Sequence, residues 1–415
     1  MIERITILGG SSVYTPELIQ ALISSSLEVQ EVVLLGKGGR KLEIVARFCQ
    51  RLLKRQEVPL EITVSTDPKE AIRGARYILN NIRVGGMKAR MRDEVLPAKF
   101  GMLADENLGA GGFSNAFRSL PAVLAYARLI EKEQPDAVFI NVTNPIGMVI
   151  DMLVKETTLH AVGVCDLPVA YTAKVARILD RPPEEIFVDY IGLNQLGWIQ
   201  DVKVNGCSRM RQLLEILETT KEPGFDHDLI KLFRMIPTRN TGLLFHRDKA
   251  VQNQQAQARV RAEVLYETEL QILQLYDDEM LDVIPDLTRE RQAQWYENSV
   301  VPLIAALEQP EPRNAILCVQ NKGFIRDLPE DSSVEISSTV SSAGIQPRKA
   351  GSLPRFLRGL LLANKDSERL TVEAVLKSSY SDALQALTIN PFVPSLEVAK
   401  KYLDRVIKED KIELH

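Results

Sequence analysis

The chain has 415 residues, a formal net charge of −4, and 45% hydrophobic and 26% charged side chains. That length exceeds the roughly 250–300 residues one hydrophobic core supports, so two domains are expected, and the charge argues against nucleic acid or an anionic membrane as partner. No run reaches the ~18 apolar residues of a membrane span, and no signal peptide precedes the first strand. The four cysteines lack C-x-x-C spacing, which argues against disulfides and structural zinc, so the cytoplasm is the expected compartment.

Ile5, Ile7 and Leu8 make the apolar run of a buried strand. Gly9-Gly10-Ser11-Ser12 then forms a tight turn, and Pro16 stands in the first turn of a helix, where a missing N–H is tolerated. Such a βα turn offers backbone N–H groups and a positive helix end to an anion, usually a pyrophosphate. Ser11 and Tyr14 replace the second and third glycines of G-x-G-x-x-G, so the turn alone reads as a dinucleotide site or as a plain βα corner. Glu31 to Leu35 is a second strand. Leu42, Val45, Ala46, Cys49, Leu52 and Leu53 mark an amphipathic helix, with Cys49 in the core. Tyr77 to Leu79 is read as the third strand, residues 119–133 as a helix, and Ala137 to Ile140 and Ala161 to Val164 as two more strands. These βα units predict a Rossmann-type doubly wound parallel sheet over residues 1–166.

Residues 167–415 read as an α+β catalytic domain. Strands are expected near 187–191, 200–204 and 315–319, and helices near 255–276, 290–308 and 367–409. The stretch 220–250, with Pro223, Gly224, Pro237 and Gly242, predicts a mobile loop. Segment 252–263 reads as a solvated helix or a subunit contact, and a homodimer or homotetramer is expected. Ligands in a doubly wound sheet sit beyond the strands' carboxyl ends, where Arg83 to Arg92, Asn141 to Pro145 and Cys165-Asp166 fall. Arg90 and Arg92, just past a strand end with Lys88, suit a sugar phosphate or a solvated charge run. Asn144 precedes Pro145 at a strand end, where its amide reaches cofactor or sugar hydroxyls or caps the turn; Glu106 suits a sugar hydroxyl. Gly9, Gly10, Ser11, Ser12, Lys37, Arg83 and Asn144 are the candidate cofactor residues.

The order of clusters is more specific than any one of them. Gly9 to Pro16 is followed by Ile82-Arg83-Val84-Gly85-Gly86, Arg90 to Glu94, Glu106 and Gly109 to Phe113. Asn141-Val142-Thr143-Asn144-Pro145, Cys165-Asp166-Leu167-Pro168, Gly192-Leu193-Asn194 and Trp295-Tyr296 complete it. This series resembles glycoside hydrolase family 4, the nicotinamide- and metal-dependent glycosidases, and in length the 6-phospho-β-glucosidases. The resemblance implies redox-assisted cleavage of a phosphorylated glucoside. NAD takes a hydride from C3, a base removes the C2 proton, the C1 group leaves, water adds, and the hydride returns. A divalent metal, typically manganese, binds the C2 and C3 oxygens. By this resemblance Cys165 is a metal ligand, Tyr296 the base and Arg90 a phosphate-binding arginine. Asp166 matches the general acid of α-acting members, against the β-lean given by length.

Three departures bear on function. The histidine ligand of the family's Gly-Leu-Asn-His pattern is Gln195, whose neutral carbonyl is a poorer manganese ligand than imidazole. The acidic residue expected after the second strand is Gly36. Gly36 with Lys37 and Arg40 suits a 2′-phosphate or weak cofactor binding, so NADP is expected to bind at least as well as NAD. The family's Arg-Gly-Gly before the tyrosine is Arg291-Gln292-Ala293, with Glu297 after it. A hydroxy-acid dehydrogenase, or a sensor that binds without turnover, is the alternative function.

Overall fold

A computed structural model describes residues 1–291 and 296–415. Six parallel strands come first: β1 (Ile2–Leu8), β2 (Val29–Leu35), β3 (Glu61–Ser65), β4 (Tyr77–Asn80), β5 (Val138–Asn141) and β6 (His160–Gly163). They lie in the order β3-β2-β1-β4-β5-β6, so the winding reverses between β1 and β4, where a doubly wound sheet opens a crevice. Side chains alternate between two buried faces. Ile5, Ile7, Val32 and Leu34 pack with Leu18, Val45 and Phe48 of the helices Thr15–Ile23 and Arg40–Gln56. Leu8, Val33, Leu35 and Ile78 face Leu120 and Val123 of helix Gly109–Glu133 and Val149 of helix Ile146–Glu156. Covering both faces explains why these strands are continuous apolar runs. β3 was not expected. It is an edge strand whose Glu61 and Val64 face solvent, so its apolar signal is thin and Tyr77 opens the fourth strand, not the third.

The second half contributes a long hairpin, β7 (Ile186–Leu193) and β8 (Leu196–Val204). The two-residue strands β9 (Cys207–Ser208) and β10 (Ile236–Pro237) complete its sheet. β11 (Arg313–Gln320), β12 (Ser333–Ser341) and β13 (Gly344–Pro347) run antiparallel and extend the first sheet past β6, to nine strands among the described residues. A division of the chain after residue 166 is therefore not a division of the sheet.

Several expected elements differ in detail. Helix Gly109–Glu133 begins ten residues before the expected 119. The glycines at its start do not break it, because they let the preceding loop pack on the helix: a Cβ at Gly111 would lie 2.1 Å from the Asp105 carbonyl oxygen, and one at Gly112 would lie 2.3 Å from that of Asn107. The stretch 220–250 is ordered rather than a mobile loop, with helices His227–Phe233, Arg239–Phe245 and Arg247–Gln255. Phe233 and Phe245 pack edge-on against the buried Trp198, and this aromatic burial outweighs the prolines and glycines. The single helix expected over 367–409 is three: Arg355–Lys377, Tyr380–Ile389 and Leu396–Asp410. Residues Tyr296–Val300 form a π-helical turn leading into helix Val301–Leu307. No helix among the described residues is long and apolar enough to cross a membrane.

Candidate active site

Four neighbouring parallel strands, β1, β4, β5 and β6, end at one edge of the sheet. β1 runs into Gly9-Gly10-Ser11-Ser12, β4 into Asn81-Ile82-Arg83, β5 into Thr143-Asn144, and β6 into Cys165-Asp166. Gly9 adopts φ 87° and packs so closely that a Cβ would sit 2.6 Å from the Asn81 carbonyl oxygen. Gly9 and Gly10 both donate their N–H to the Leu35 carbonyl, at 3.1 and 2.9 Å. Their contribution is therefore close backbone approach rather than free donors. Ser12 accepts from the Tyr14 N–H through its Oγ at 3.3 Å. The Tyr14 ring lies under the Arg291 guanidinium, 3.9 Å from its centroid, and its buried hydroxyl finds no partner among the described residues. An orphaned hydroxyl beside a βα turn suits a bound dinucleotide. Lys37 is exposed beyond β2. Arg40, expected beside it at a 2′-phosphate, instead pairs with Asp277 at 2.7 Å, because it opens helix Arg40–Gln56 facing helix Arg261–Asp277.

Past β4 and β5 the charged residues converge on Glu106. Arg83 pairs with one carboxylate oxygen; Arg90 reaches the other at 3.1 Å, and Asn144 donates to it from Nδ2 at 3.2 Å. Burial would raise this carboxyl, but the Arg83 and Arg90 guanidiniums hold it at about 2. Arg90 also pairs with Glu94 at 2.9 Å, and Glu94 accepts the Ala262 N–H at 2.8 Å. Gln254 clamps the backbone of Ala104, donating at 3.0 Å and accepting at 2.9 Å. Segment 252–263 is mostly exposed and partly helical, as the solvated reading expects, and its Gln254 and Ala262 also brace the loop of Glu106 and the helix of Glu94. Asn144 Oδ1 is buried and has no partner among the described residues.

Arg92 does not join this cluster. Residues 86–95 are a helix rather than a strand-end loop, and two residues along a helix turn through about 200°. Arg92 therefore faces the C-terminal helix and pairs with Asp410 at 2.7 Å.

At the end of β6 the sulfur meets an amide rather than a guanidinium. Cys165 is buried, and burial with nearby Glu335 and Asp166 pushes its thiol up. Gln195, in the β7–β8 turn at φ 70°, donates from Nε2 to the Cys165 Sγ at 3.2 Å. Its Oε1 accepts from Asn240 Nδ2 at 2.5 Å. Asp166, half-buried, opens helix Asp166–Ile178 with Oδ1 3.9 Å from that sulfur. Thiolate and amide carbonyl are both cation donors, so this pair fits a divalent ion with the carbonyl turned to the sulfur. The orphaned Asn144 oxygen is a further polar group at the same edge. Among the described residues no three His, Cys, Asp or Glu side chains form a metal cluster.

Tyr296 is 2% exposed and heads its π-helical turn. Asn81 Nδ2 donates to its hydroxyl at 2.8 Å, which brings residue 296 to the end of β4. A base needs a pKa below the ordinary 10; here burial lifts it to about 12, with Arg291, 5.9 Å from the ring, opposing. Gln292, Ala293 and Trp295 lie outside the described residues.

Two participants were not anticipated. Glu335 on β12 accepts from the Tyr190 hydroxyl at 2.9 Å and from Asn194 Nδ2 at 2.8 Å, fixing the hairpin that carries Gln195. Its signal was there, a charged residue alternating with Val334 and Ile336 in an apolar strand. Asn240 had no comparable signal.

The family 4 glycosyl hydrolase model matches residues 4–181, and that of the family's C-terminal domain matches 190–393. The chain is 32% identical to a probable 6-phospho-beta-glucosidase of Bacillus subtilis, over 98% of this chain and 96% of that protein. It is 30% identical to the phospho-alpha-glucosidase PagL of Clostridium acetobutylicum, over 98% and 97%. Its fold matches the 6-phospho-beta glucosidase of Thermotoga maritima solved with manganese, NAD+ and glucose-6-phosphate. The TM-score is 0.90 at 29% identity, covering 99% of this chain and all of that one (100%). From the turn after β1 to the C-terminal helices, the chain belongs to glycosyl hydrolase family 4.

Proposed function

We propose that this chain cleaves a 6-phosphorylated glucoside by redox-assisted elimination, with NAD as resident cofactor. One observation carries the reading: the ends of four adjacent strands bring together the Gly9 turn, Asn81 with Tyr296, the Arg83–Glu106–Arg90–Asn144 network and Cys165. NAD bound over that edge would accept the C3 hydride and return it after cleavage. A divalent ion, manganese in the solved relative, would be held by Cys165 and the Gln195 carbonyl and would act as a Lewis acid on sugar hydroxyls.

The remaining roles belong to the chain's own residues. Gly9, Gly10, Ser11 and Ser12 admit the pyrophosphate, with Asn144 offering its free oxygen to ribose or sugar hydroxyls. Arg83 orients Glu106. Arg90 binds the phosphate through its guanidinium, and Glu106 holds it in place or takes a sugar hydroxyl. Tyr296 removes the C2 proton once the C3 carbonyl has acidified it, and the Asn81 N–H supports the phenolate. Asp166 protonates the leaving group, which favours an α-linkage. Gly36 and Lys37 leave room for NADP as well as NAD. A homodimer or homotetramer belongs to the same reading; the exposed Leu270, Leu275 and Met280 offer apolar surface for a second copy.

Turnover of paired α- and β-linked 6-phosphoglucosides in D₂O tests the chemistry. Deuterium should appear at C2 of the product, and Tyr296→Phe should slow its entry by about 100-fold or more. Turnover without C2 exchange would remove Tyr296 from its role, and net NADH would indicate a dehydrogenase. The amide contact at Cys165 favours one second reading, a sensor; tight binding of NAD and glucose-6-phosphate with no turnover would select it.

A further inference from the structure

Gln195 stands where family relatives would need a cation ligand, yet it presents its N–H₂ end to Cys165. A primary amide has a donor end and an acceptor end, and only the carbonyl can ligate a cation. The end that faces the sulfur depends on what the other end meets. That partner is Asn240, 3% exposed in helix Arg239–Phe245, whose Nδ2 donates to the Gln195 Oε1 at 2.5 Å. Arg239 Nε donates to the Asn240 Oδ1 at 3.5 Å and so favours the direction observed, and the rest of the surroundings hold the pair in place. Thr238 Oγ1 donates to the Gln195 backbone carbonyl at 3.4 Å and shares a hydrogen bond with Thr241 Oγ1 at 3.0 Å.

We infer that Asn240 is a positioning residue that sets which end of the Gln195 amide faces Cys165, and through it whether this corner accepts a divalent cation. Asn240 is itself an amide, so the pair has two self-consistent arrangements. In the one observed, Asn240 donates, Gln195 accepts, and the Gln195 N–H is left for the sulfur. In the other both amides turn over, Gln195 donates to the Asn240 carbonyl, and its own carbonyl lies beside the Cys165 sulfur. Each keeps one amide–amide hydrogen bond. They differ at Asn240, whose Oδ1 accepts from Arg239 Nε only in the first, and at the sulfur, where the first offers a hydrogen bond and the second a pair of cation ligands. Metal binding is thereby coupled to a concerted turn of two buried amides, a cost that a fixed imidazole would not carry.

This inference rests on Cys165 being a ligand position, as in the proposed function. The test is binding of Mn²⁺ alone to the full-length NAD-loaded protein, followed by loss of the free-ion electron paramagnetic resonance signal. An aspartate accepts and cannot donate, so Asn240→Asp forces Gln195 to donate and turns its carbonyl to the sulfur. Mn²⁺ affinity should rise about 10-fold. Gln195→Glu presents an oxygen whichever way it turns, so it should give a similar gain, and Asn240→Asp added to it should give nothing more. A full additive gain in the double variant would mean that added charge, not amide direction, is responsible, and would overturn the inference. So would unchanged affinity in Asn240→Asp. Should that variant fail to fold, Asn240→Ala frees the Gln195 carbonyl and must also raise affinity; no rise overturns the inference. Wild-type turnover of 6-phosphoglucosides is recorded separately. Coupling without turnover would refute the enzyme reading alone, and turnover without coupling would refute the role of Asn240 alone.

Discussion

At the ends of β4 and β5, Glu106 sits between two guanidiniums and an amide, and every partner is drawn by its full charge. At the end of β6, the Cys165 thiol meets an amide held by a second amide. The first corner has one stable arrangement, since turning either guanidinium away would strip the buried Glu106 carboxylate of a charged partner. The second has two, because an amide turned over is still an amide, and the observed one keeps the further hydrogen bond from Arg239 Nε to Asn240 Oδ1. One site thus joins a region whose geometry is enforced electrostatically to one whose geometry is enforced only by shape and by its neighbours. A ligand that brings charge, such as a phosphate or a metal ion, must compete with existing partners at the first corner and can select between arrangements at the second.

Breaking the charged corner should have the largest effect. Glu106→Gln removes the carboxylate while Arg90, with 15% of its side chain exposed, stays in place beside it. Leaving a buried cation with Glu94 alone is expected to cost about 3 kcal/mol, the low end of the range for a broken buried pair, read as a lower denaturant midpoint. Inorganic phosphate should restore more stability to this variant than to the wild type, because the Arg90 Nη1 that met Glu106 is then open to it while Glu94 still holds Nε. Equal phosphate effects in both proteins would mean that Arg90 does not face the anion site.

The amide corner is sharpened by a smaller change beneath it. Glu335, which anchors the Gln195 hairpin through Asn194 and Tyr190, is raised to about 7 by burial, against the hydrogen bonds from Asn194 and Tyr190. A carboxyl whose folded pKa exceeds its unfolded value favours the folded state most at low pH. That stability is present in full below about 4.5 and is lost as pH rises towards 7. Between pH 5.5 and 7.5 the loss is about 2 kcal/mol by linkage. Glu335→Gln cannot ionise, so its melting temperature should fall less than the wild type's over that range. A parallel fall in both proteins would show that Glu335 is already ionised in the fold.

What could be read in advance follows the same physical division. The strands of the doubly wound sheet were legible because both faces are buried and their apolar runs are unbroken. β3 was not, since Glu61 and Val64 are exposed at the edge. The helix at Gly109 was hidden by the three low-propensity glycines of Gly109-Ala110-Gly111-Gly112, whose lack of side chains is what lets the Glu106 loop lie against it. Asn144 and Cys165 could be located because strand ends locate them, and Gln195 because it follows Gly192-Leu193-Asn194, where the family pattern has its histidine. Asn240 could not: it lies in a stretch where Pro237 and Gly242 signal a loop, and what orders that stretch is the packing of Phe233 and Phe245 on Trp198, contacts between residues far apart in the chain.

The smallest expected effect draws the boundary of the charged corner. Arg90 and Arg92 are two residues apart, and sequence spacing alone would assign both to one anion. On helix Gly86–Val95 they diverge: Arg90 turns to Glu94 and Glu106, and Arg92 turns to Asp410, which Arg118 also holds at 2.7 Å. Arg92 is 43% exposed in that pair, so screening by water limits what it contributes. Arg92→Ala should cost about 0–1 kcal/mol of stability and leave KM for a 6-phosphoglucoside within error of the wild type. Arg90→Ala, by contrast, should raise KM by 10-fold or more, the ~1.4 kcal/mol or greater loss expected for a charge-assisted hydrogen bond to phosphate. A rise in KM in Arg92→Ala matching that in Arg90→Ala would mean that the helix turns on binding substrate, and that both guanidiniums reach the phosphate after all.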